Sequence, residues 1–211
     1  YCTVDDKKKH YVWLFGAQGE AVARKWGRDH VYKAMNAHGV SVVHIQRNAQ
    51  GRWDLVKDSL YHRRITAHTG MELTGPAAGD ALLQTQGDPS GRRVQGTFNN
   101  CGNGFTPWGT YLTCEENFNN YFGTTSGADQ RTVAQKRYGL SAQASLFQWE
   151  GHEPRFDYVK HPQESHRFGW IVEIDPFNPT SMPKKRTALG RIKHENAAFA
   201  LSKDGRAVVY M

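Results

Sequence analysis

Residues 99–117 have the sequence NNCGNGFTPWGTYLTCEEN. A stretch rich in glycine, with one proline, leads into an apolar segment at residues 108–113, and two acids and an asparagine follow. Glycine and proline at this density specify a tight backbone path, and the segment after them is strand-like. The sequence therefore predicts short strands at 97–98 and 108–113 around a glycine-rich turn, with a cysteine and two carboxylates at the strand ends.

Short strand-like segments recur along the rest of the chain. A hairpin is predicted at residues 40–45 and 53–56 around a turn at 48–51. Further strands are predicted at 146–149, 155–159, 170–174 and 189–193, with a second hairpin at 197–201 and 206–211. Turn signals at intervals of about ten residues indicate a mostly all-β fold, which would be a sandwich, a barrel or a propeller.

Three segments depart from this pattern of strands. Apolar residues at helical spacing predict a helix over residues 20–37, which ends at His38-Gly39. Residues 66–91 are rich in Gly, Thr and Pro and are expected to form a loop. The polar stretch 123–145 is interpreted as an insertion, with a short helix at 129–137.

Charge and cysteine content limit the possible functions. The 211 residues carry 27 Lys and Arg against 20 Asp and Glu, a net charge of +7. This balance favours an anionic substrate, an anionic surface or nucleic acid, but no basic helix or aromatic–arginine stacking motif supports nucleic acid. Three cysteines are too few, and odd in number, for a disulfide scaffold. No apolar stretch is long enough for a membrane span.

Cys101 lies at the start of the glycine-rich stretch, which would hold its thiol rigidly. A thiolate in such a place can bind a metal or act as a nucleophile. The alternative is a buried, inert cysteine. The sequence around Cys101 alone leaves both interpretations open.

Acidic side chains form the other candidate ligands. Glu115 and Glu116 are adjacent, so they point to opposite faces unless the strand ends or bulges there. Glu173 lies in the apolar segment Trp170-Ile171-Val172-Glu173-Ile174, where an unpaired carboxylate is costly to bury. Either that face is solvated or a cation meets it. Glu195 follows His194 at a predicted strand end, where plain solvent exposure is the alternative.

Paired arginines follow Tyr61-His62. Arg63 and Arg64 present guanidinium groups suited to phosphate, although ordinary surface charge would explain them equally well. Cysteine, glutamate and histidine at several strand ends together predict metal ligands that meet at one opening, and arginines lining it would attract an anion.

The blocks at 99–117, 168–176 and 193–195 resemble conserved blocks of the PhoX-type alkaline phosphatases. The first has the form NNCxxGxTPWGTxLTxEEN, the second FGWxVEIDP and the third KHE. Residues 61–66 and 71–79 are similar to that family as well. Departures are Gly102-Asn103-Gly104 after the cysteine and His62 where the family often has asparagine.

The resemblance implies a β-propeller, of which residues 1–211 would be two or three blades of one domain truncated at both ends. It implies a cluster of iron(III) and calcium ions in the central opening, hydrolysis of phosphate monoesters, and export to the bacterial periplasm or beyond it by the twin-arginine (Tat) route. The physiological ester and the oligomeric state do not follow from it.

The resemblance also implies roles for individual residues. Cys101 would be the thiolate ligand of iron, and Arg63 and Arg64 would be catalytic residues that meet the phosphate. The carboxylate ligands of the metals would be Glu115, Glu116, Glu173 and Glu195. Cys114 lies at a variable position of the family, so no metal is assigned to it. A disulfide between Cys101 and Cys114 would compete with metal binding.

Elemental analysis distinguishes the phosphatase hypothesis from a non-catalytic propeller that binds calcium and acts as a binding module. A phosphatase of this type is expected to contain both iron and calcium as purified, and to hydrolyse phosphate esters. Calcium without iron, together with a stable protein that does not turn over any ester, would support the binding module instead.

Overall fold

The computed structural model describes residues 27–211, which are mostly strands, turns and short helices. The α-helices are α1 (Arg28–Ala37) and α2 (Val133–Arg137). The strands are β1 (Val40–Val42), β2 (Ile45–Arg47), β3 (Trp53–Leu55), β4 (Arg63–Ile65), β5 (Gly70–Thr74), β6 (Arg93–Gln95), β7 (Asn100–Phe105), β8 (Tyr111–Glu115), β9 (Ile171–Ile174), β10 (Lys184–Arg186), β11 (Ala198–Leu201) and β12 (Ala207–Tyr210).

A six-stranded sheet in the order β6-β5-β10-β9-β8-β7 forms the centre of the described structure. Neighbouring strands are antiparallel except β5 and β10, which are parallel. The pairs β1–β4, β2–β3 and β11–β12 form separate two-stranded sheets. All four residues of β9 are buried, so the sheet is covered on both faces at this strand.

The two faces of the central sheet carry different cores. Val172 and Ile174 of β9 pack into a large core that is rich in aromatic rings. Phe98 and Phe168 stack there with ring centroids 4.3 Å apart. Ile171 lies on the opposite face in a small cluster with Leu112, Cys114 and Ala197. Cys114 therefore lies on the face of the sheet opposite the aromatic core.

Several predicted elements are confirmed by the structure. The hairpin predicted at 197–201 and 206–211 forms, with antiparallel pairing of β11 with β12. Strand β3 lies within the predicted strand 53–56 and pairs with β2, which shares only Ile45 with the predicted strand 40–45. Helix α1 lies within the predicted helix 20–37, although residues 20–26 lie outside the described part of the chain. The short helix α2 lies within the segment predicted to be an insertion.

The strands predicted at 146–149 and 155–159 are wrong. Short 3₁₀ helices occupy Trp149–Gly151 and Pro154–Phe156 instead. Gln148 has a left-handed backbone with φ of 55°, and Pro154 fixes its own φ and has no N–H to donate. Trp149 and Phe156 are apolar because they fill the aromatic core, not because they belong to a sheet.

Strands β5, β6 and β10 of the central sheet are missed by the sequence pattern. Strand β5 lies inside the predicted loop 66–91, where the surrounding Gly, Thr and Pro obscure its short apolar alternation. Strand β10 has the sequence KKR, which indicates an exposed segment. The strand predicted at 189–193 is wrong, since residues Thr187–Leu189 form a 3₁₀ turn and an irregular segment follows.

The glycine-rich stretch also differs from its prediction. Residues 100–105 form strand β7 itself, and residues 97–98 lie before it outside any strand. The predicted strand 40–45 is divided into β1, which pairs with β4, and β2, which pairs with β3. The glycines of β7 therefore do not interrupt the sheet. They are needed in this strand because a neighbouring backbone approaches it closely.

A buried ion pair links β10 to β8 across β9. Lys185 Nζ lies 2.7 Å from Glu115 Oε1, and neither side chain has exposed surface. Nζ also donates to the carbonyl oxygen of Arg167 at 3.0 Å. Glu115 Oε2 accepts hydrogen bonds from the backbone N–H groups of Gly169 at 2.9 Å and Trp170 at 3.1 Å.

Replacing Lys185 by methionine is expected to reduce the free energy of unfolding by about 3–5 kcal/mol, because the charge of Glu115 would be left buried without its partner. The double variant Lys185→Met/Glu115→Gln should recover most of that loss, since glutamine still accepts the two backbone N–H groups. Urea denaturation measures both. Equal stability of the wild type and Lys185→Met would show that the pair does not hold the sheet.

The stability of the fold is also expected to fall on acidification because of His166. Burial, and then the charge of Arg191, lower the pKa of His166 from 6.5 to about 4. Below pH 6.5 this histidine is protonated in the unfolded chain but stays neutral in the folded chain. The free energy of unfolding therefore decreases as the pH falls from about 6.5 to about 4. In His166→Gln this part of the pH dependence should disappear, and urea midpoints across that range would reveal it. Superimposable profiles would contradict the assignment.

Candidate active site

A β-bulge interrupts the pairing of β7 with β8 at Cys101. Asn100 pairs with Glu115 and Asn103 pairs with Thr113, so three residue steps on β7 oppose two on β8. A bulge of this kind redirects the side chain of the extra residue and is common beside active sites. Cys101 is half-buried at this point.

Two backbone hydrogen bonds bring other candidate residues to the bulge. The N–H of Glu116 donates to the carbonyl oxygen of Asn99 at 3.0 Å, and the N–H of Gly102 donates to the carbonyl oxygen of Glu195 at 2.6 Å. Segments far apart in sequence therefore run side by side here. Of the predicted ligands, Cys101, Glu115, Glu116 and Glu195 belong to these adjoining segments.

A cleft of about 720 Å³ opens at the same place. Its polar lining includes Ser41, Arg64, Asn100, Cys101 and Thr113. The cleft therefore offers a thiol, two hydroxyl groups, an amide and a guanidinium group to a ligand.

The remaining wall of the cleft is apolar. Val40 and Val42 of β1 form one part of this wall, and Tyr111 and Ile174 of the central sheet form another. Val40, Val42 and Tyr111 are half-buried and pack on the large core behind them. A small ligand with a charged end and an organic end would match this arrangement.

The other two predicted carboxylate ligands, Glu115 and Glu173, have protein partners. Both oxygens of Glu115 are engaged by Lys185 and the backbone N–H groups described above. Glu173 Oε1 accepts hydrogen bonds from Trp108 Nε1 at 2.9 Å and Thr110 Oγ1 at 2.6 Å. Its Oε2 accepts one from Arg186 Nε at 2.6 Å. The carboxylates of Glu115 and Glu173 are therefore engaged by protein groups, although Glu115 itself is the strand partner of Asn100.

The environment of Glu173 favours its charged form. Burial acts to raise the pKa of this carboxyl group, but the hydrogen bonds from Thr110, Trp108 and Arg186 outweigh burial and lower the pKa below the ordinary value. The sequence left open whether the face of Glu173 is solvated or meets a cation. Within the described structure, the cation is the guanidinium group of Arg186.

The predicted pair of arginines is divided between two positions. Arg63 donates to the backbone carbonyl oxygens of Asp175, Pro179 and Ser181, and so holds the loop after β9. Arg64 lines the cleft, but its guanidinium group also donates to carbonyl oxygens at the end of α1, including those of Ala37 at 2.7 Å and His38 at 2.8 Å. Arg64 is thus the member of the pair placed to meet an anion in the cleft.

His194 is fully buried beside the end of β8. Its Nε2 donates to the carbonyl oxygen of Gly190 at 3.0 Å, which leaves Nδ1 as an acceptor. Nδ1 has no hydrogen-bond partner within the part of the chain that the structure describes. Burial lowers the pKa of His194, so the ring is neutral at pH 7.

The disulfide that would compete with metal binding is absent. Cys101 and Cys114 are not joined, because Cys114 lies in the small apolar cluster on the opposite face of the sheet. Burial, and then the nearby Glu115, raise the pKa of the Cys114 thiol to about 12, so it is unreactive.

Comparison with known proteins assigns the chain to a family. The family model described as "Alkaline phosphatase PhoX" matches residues 6–211. The chain belongs to the PhoX alkaline phosphatase family. The earlier resemblance of its motifs to that family is therefore confirmed.

A solved structure supports the same assignment. It is described as "Pseudomonas fluorescens PhoX in complex with vanadate, a transition state analogue", with a TM-score of 0.84 and 55% sequence identity. The match covers 88% of this chain and 32% of that chain, so the chain spans about a third of the length of this PhoX protein. A comparison with curated proteins gives no match. Among residues 27–211, no helix has the length and apolar character that crossing a membrane requires.

The residues around the bulge meet some of the requirements of a metal site. Within residues 27–211, no three His, Cys, Asp or Glu side chains are gathered into a metal-binding group. The donors near the bulge are nevertheless of suitable chemistry. A thiolate binds transition metals, and carboxylate and amide oxygens are the ligands that calcium prefers.

Asn100 is a residue of the cleft that the sequence analysis did not select. The residue is 4% exposed and its Nδ2 donates to Thr97 Oγ1 at 2.9 Å. Among residues 27–211, its Oδ1 has no hydrogen-bond partner. The available signal was the polar pair Asn99-Asn100 directly before Cys101, at the start of a strand that enters a core.

Substitution of Gly102 is expected to separate the segments that meet at the bulge. A Cβ on Gly102 would lie 2.3 Å from the carbonyl oxygen of Glu195, and this backbone atom cannot turn away as a flexible side chain can. Gly102→Ala should reduce the free energy of unfolding by about 1–3 kcal/mol through overpacking. The control is Gly127→Ala, where a Cβ would meet nothing within 4 Å. Urea denaturation compares the two, and an equal effect would refute the close approach.

Proposed function

We propose that this chain contributes part of the active site of a metal-dependent phosphomonoesterase, and that the cleft beside Cys101 receives the phosphate group. The main support for this proposal is the bulge in β7 beside the cleft that Cys101 lines. The ends of β7 and β8 meet the segment around Glu195 at the same place. Membership of the PhoX family supports this proposal. The vanadate complex of the Pseudomonas fluorescens relative supports it further, because vanadate is described there as a transition-state analogue.

The proposed metals are iron(III) and calcium. Cys101 would hold iron through its thiolate, and Glu116 and Glu195 would supply carboxylate oxygens to the cations. Glu115 and Glu173 would bind a metal only if Lys185 and Arg186 released them, so we assign them to the scaffold behind the site. When bound, such cations neutralise the oxygens of a phosphate ester and lower the pKa of coordinated water.

The residues of the chain itself would bind and orient the ester. Arg64 at the edge of the cleft attracts the phosphate dianion, and the net positive charge of the chain increases the rate of encounter. The wall formed by Val40, Val42, Tyr111 and Ile174 contacts the organic part of the ester and excludes water from it. Little general-base chemistry is then required of the side chains.

We extend the proposal to the whole protein from the family resemblance. The six-stranded sheet and the small hairpins would belong to a β-propeller, of which residues 1–211 are two or three blades of a single domain. The mature protein would act in the bacterial periplasm or outside the cell, after export by the twin-arginine route. Its partners would be phosphate monoesters.

A calcium-binding module without catalysis is the second candidate from the sequence. No feature of the described residues favours it over hydrolysis. The relative with 55% identity binds a transition-state analogue, which a protein without catalysis has no reason to do.

The substitution Cys101→Ala tests the proposed function. Hydrolysis of p-nitrophenyl phosphate should fall by about 100-fold or more, and bound iron should be lost with it, because the thiolate ligand is removed. The matched control is Cys114→Ala, which removes the buried thiol on the opposite face and should retain activity and iron. Full activity and full iron content in Cys101→Ala would refute the assignment.

A further inference from the structure

A series of hydrogen bonds inside the aromatic core joins helix α1 to the start of β7. Three buried side chains form it, those of His38, Tyr121 and Asn99, and we call them the buried network. Asn99 Nδ2 donates to the hydroxyl oxygen of Tyr121 at 3.2 Å, and that oxygen lies 2.9 Å from His38 Nε2. His38 Nδ1 in turn lies 2.6 Å from the carbonyl oxygen of Ala34 in α1.

Each bond of the buried network has a defined direction. A carbonyl oxygen can only accept, so His38 Nδ1 donates to Ala34. In a neutral imidazole ring Nε2 is then an acceptor, and the hydroxyl group of Tyr121 donates to it. The same hydroxyl oxygen accepts from Asn99. Reversing one bond would break the next, so the network holds the amide of Asn99 in one orientation.

The rest of Asn99 holds the end of β8. Asn99 Oδ1 accepts from the backbone N–H of Asn117 at 2.7 Å, and its carbonyl oxygen accepts from the N–H of Glu116. The backbone of Asn99 is left-handed, with φ of 50°. Such a conformation persists where surrounding contacts enforce it, often beside a functional site. Cys101 follows two residues later, at the bulge.

The end of α1 also holds the cation of the cleft. The guanidinium group of Arg64 donates to the carbonyl oxygens of Ala37 and His38. His38 thus contacts Arg64 through its backbone and Tyr121 through its ring. Arg64 on one side, and the start of β7 on the other, are therefore tied to the same residue.

We propose that the buried network positions the reacting groups of the site, with Tyr121 and Asn99 as positioning residues that set the place of Cys101 relative to Arg64. A displacement of about 1 Å in reacting groups can reduce turnover by about 100-fold, so rigid hydrogen bonds between elements suit this task. The effect on hydrolysis rests on the proposed function, whereas the effect on the bulge stands without it.

The competing role of the buried network is general stability. Packing in this core does not need the hydroxyl group of Tyr121, because its ring stacks on Phe147 with centroids 4.5 Å apart. Tyr121→Phe therefore keeps the packing and removes two bonds of the network. A structural role predicts a lower melting temperature alone, whereas a positioning role predicts a change at the bulge.

The reactivity of the two described cysteines measures that change. The purified Tyr121→Phe protein is treated with iodoacetamide, and alkylation is followed at each cysteine by mass spectrometry. Cys101 is expected to react about fivefold faster than in the wild type, because the start of β7 opens locally more often. Cys114, buried on the opposite face, should stay unreactive and so report that the fold is intact.

Steady-state hydrolysis of p-nitrophenyl phosphate provides the second readout. In Tyr121→Phe, kcat should fall by about tenfold while KM changes by less than about twofold, because the apolar wall of the cleft is unaltered. His38→Gln keeps an oxygen acceptor for the hydroxyl group of Tyr121. It should lie nearer to the wild type than His38→Leu in both measurements.

Tyr158→Phe is the matched control. Tyr158 is another buried tyrosine of the aromatic core, and its hydroxyl group donates to the carbonyl oxygen of Ala142 at 3.2 Å. The control should lower the melting temperature by an amount similar to Tyr121→Phe. Alkylation of Cys101 and kcat should both stay at the wild-type values.

Three results would overturn the inference. The first is equal alkylation of Cys101 in Tyr121→Phe and Tyr158→Phe. The second is a joint rise in the reactivity of Cys101 and Cys114, which would assign the network to general stability. The third is an unchanged kcat in Tyr121→Phe when the wild type is active. A wild type that hydrolyses no phosphate ester would instead refute the proposed function, and the alkylation rates would still decide whether the network holds the bulge.

Discussion

The buried ion pair between Lys185 and Glu115 is the interaction on which the centre of the structure depends. It joins β10 to β8 on one face of β9, and Glu115 also fixes the backbone where the chain enters β9. Removing two charges from water costs several kcal/mol per ion, which only close pairing and further hydrogen bonds offset. The pair therefore tolerates little displacement, and the end of β8 that leads to Glu116 is held in place by it.

The cleft beside Cys101 is a consequence of this fixed strand end and of the bulge opposite it. One additional residue in β7 redirects Cys101, and the absence of a side chain on Gly102 allows the segment around Glu195 to approach. Residues separated by almost a hundred positions in sequence thus become neighbours. The path of the backbone therefore determines where the cleft forms.

Charge inside this protein is used mostly to join elements. Glu115 and Glu173 are the carboxylates that an observer of the sequence would first assign to a metal, yet each is neutralised by a cation from β10. Arg63 holds a loop through carbonyl oxygens. Arg64, which also caps the end of α1, lines the cleft, and the segments that carry Glu116 and Glu195 adjoin it through backbone hydrogen bonds.

The sequence by itself determined the family, the mostly β character and the hairpin at the end of the described chain, because these follow from local residue order and from motifs. It did not determine strand β10, the helical turns at Trp149 and Phe156, or the partners of Glu115. These depend on contacts between distant segments: a lysine in the sequence KKR is buried only because a glutamate on another strand meets it. Tertiary structure alone decided which carboxylates lie near Cys101, since a side chain's partner is set by strand order and register, and neither is written in the local sequence.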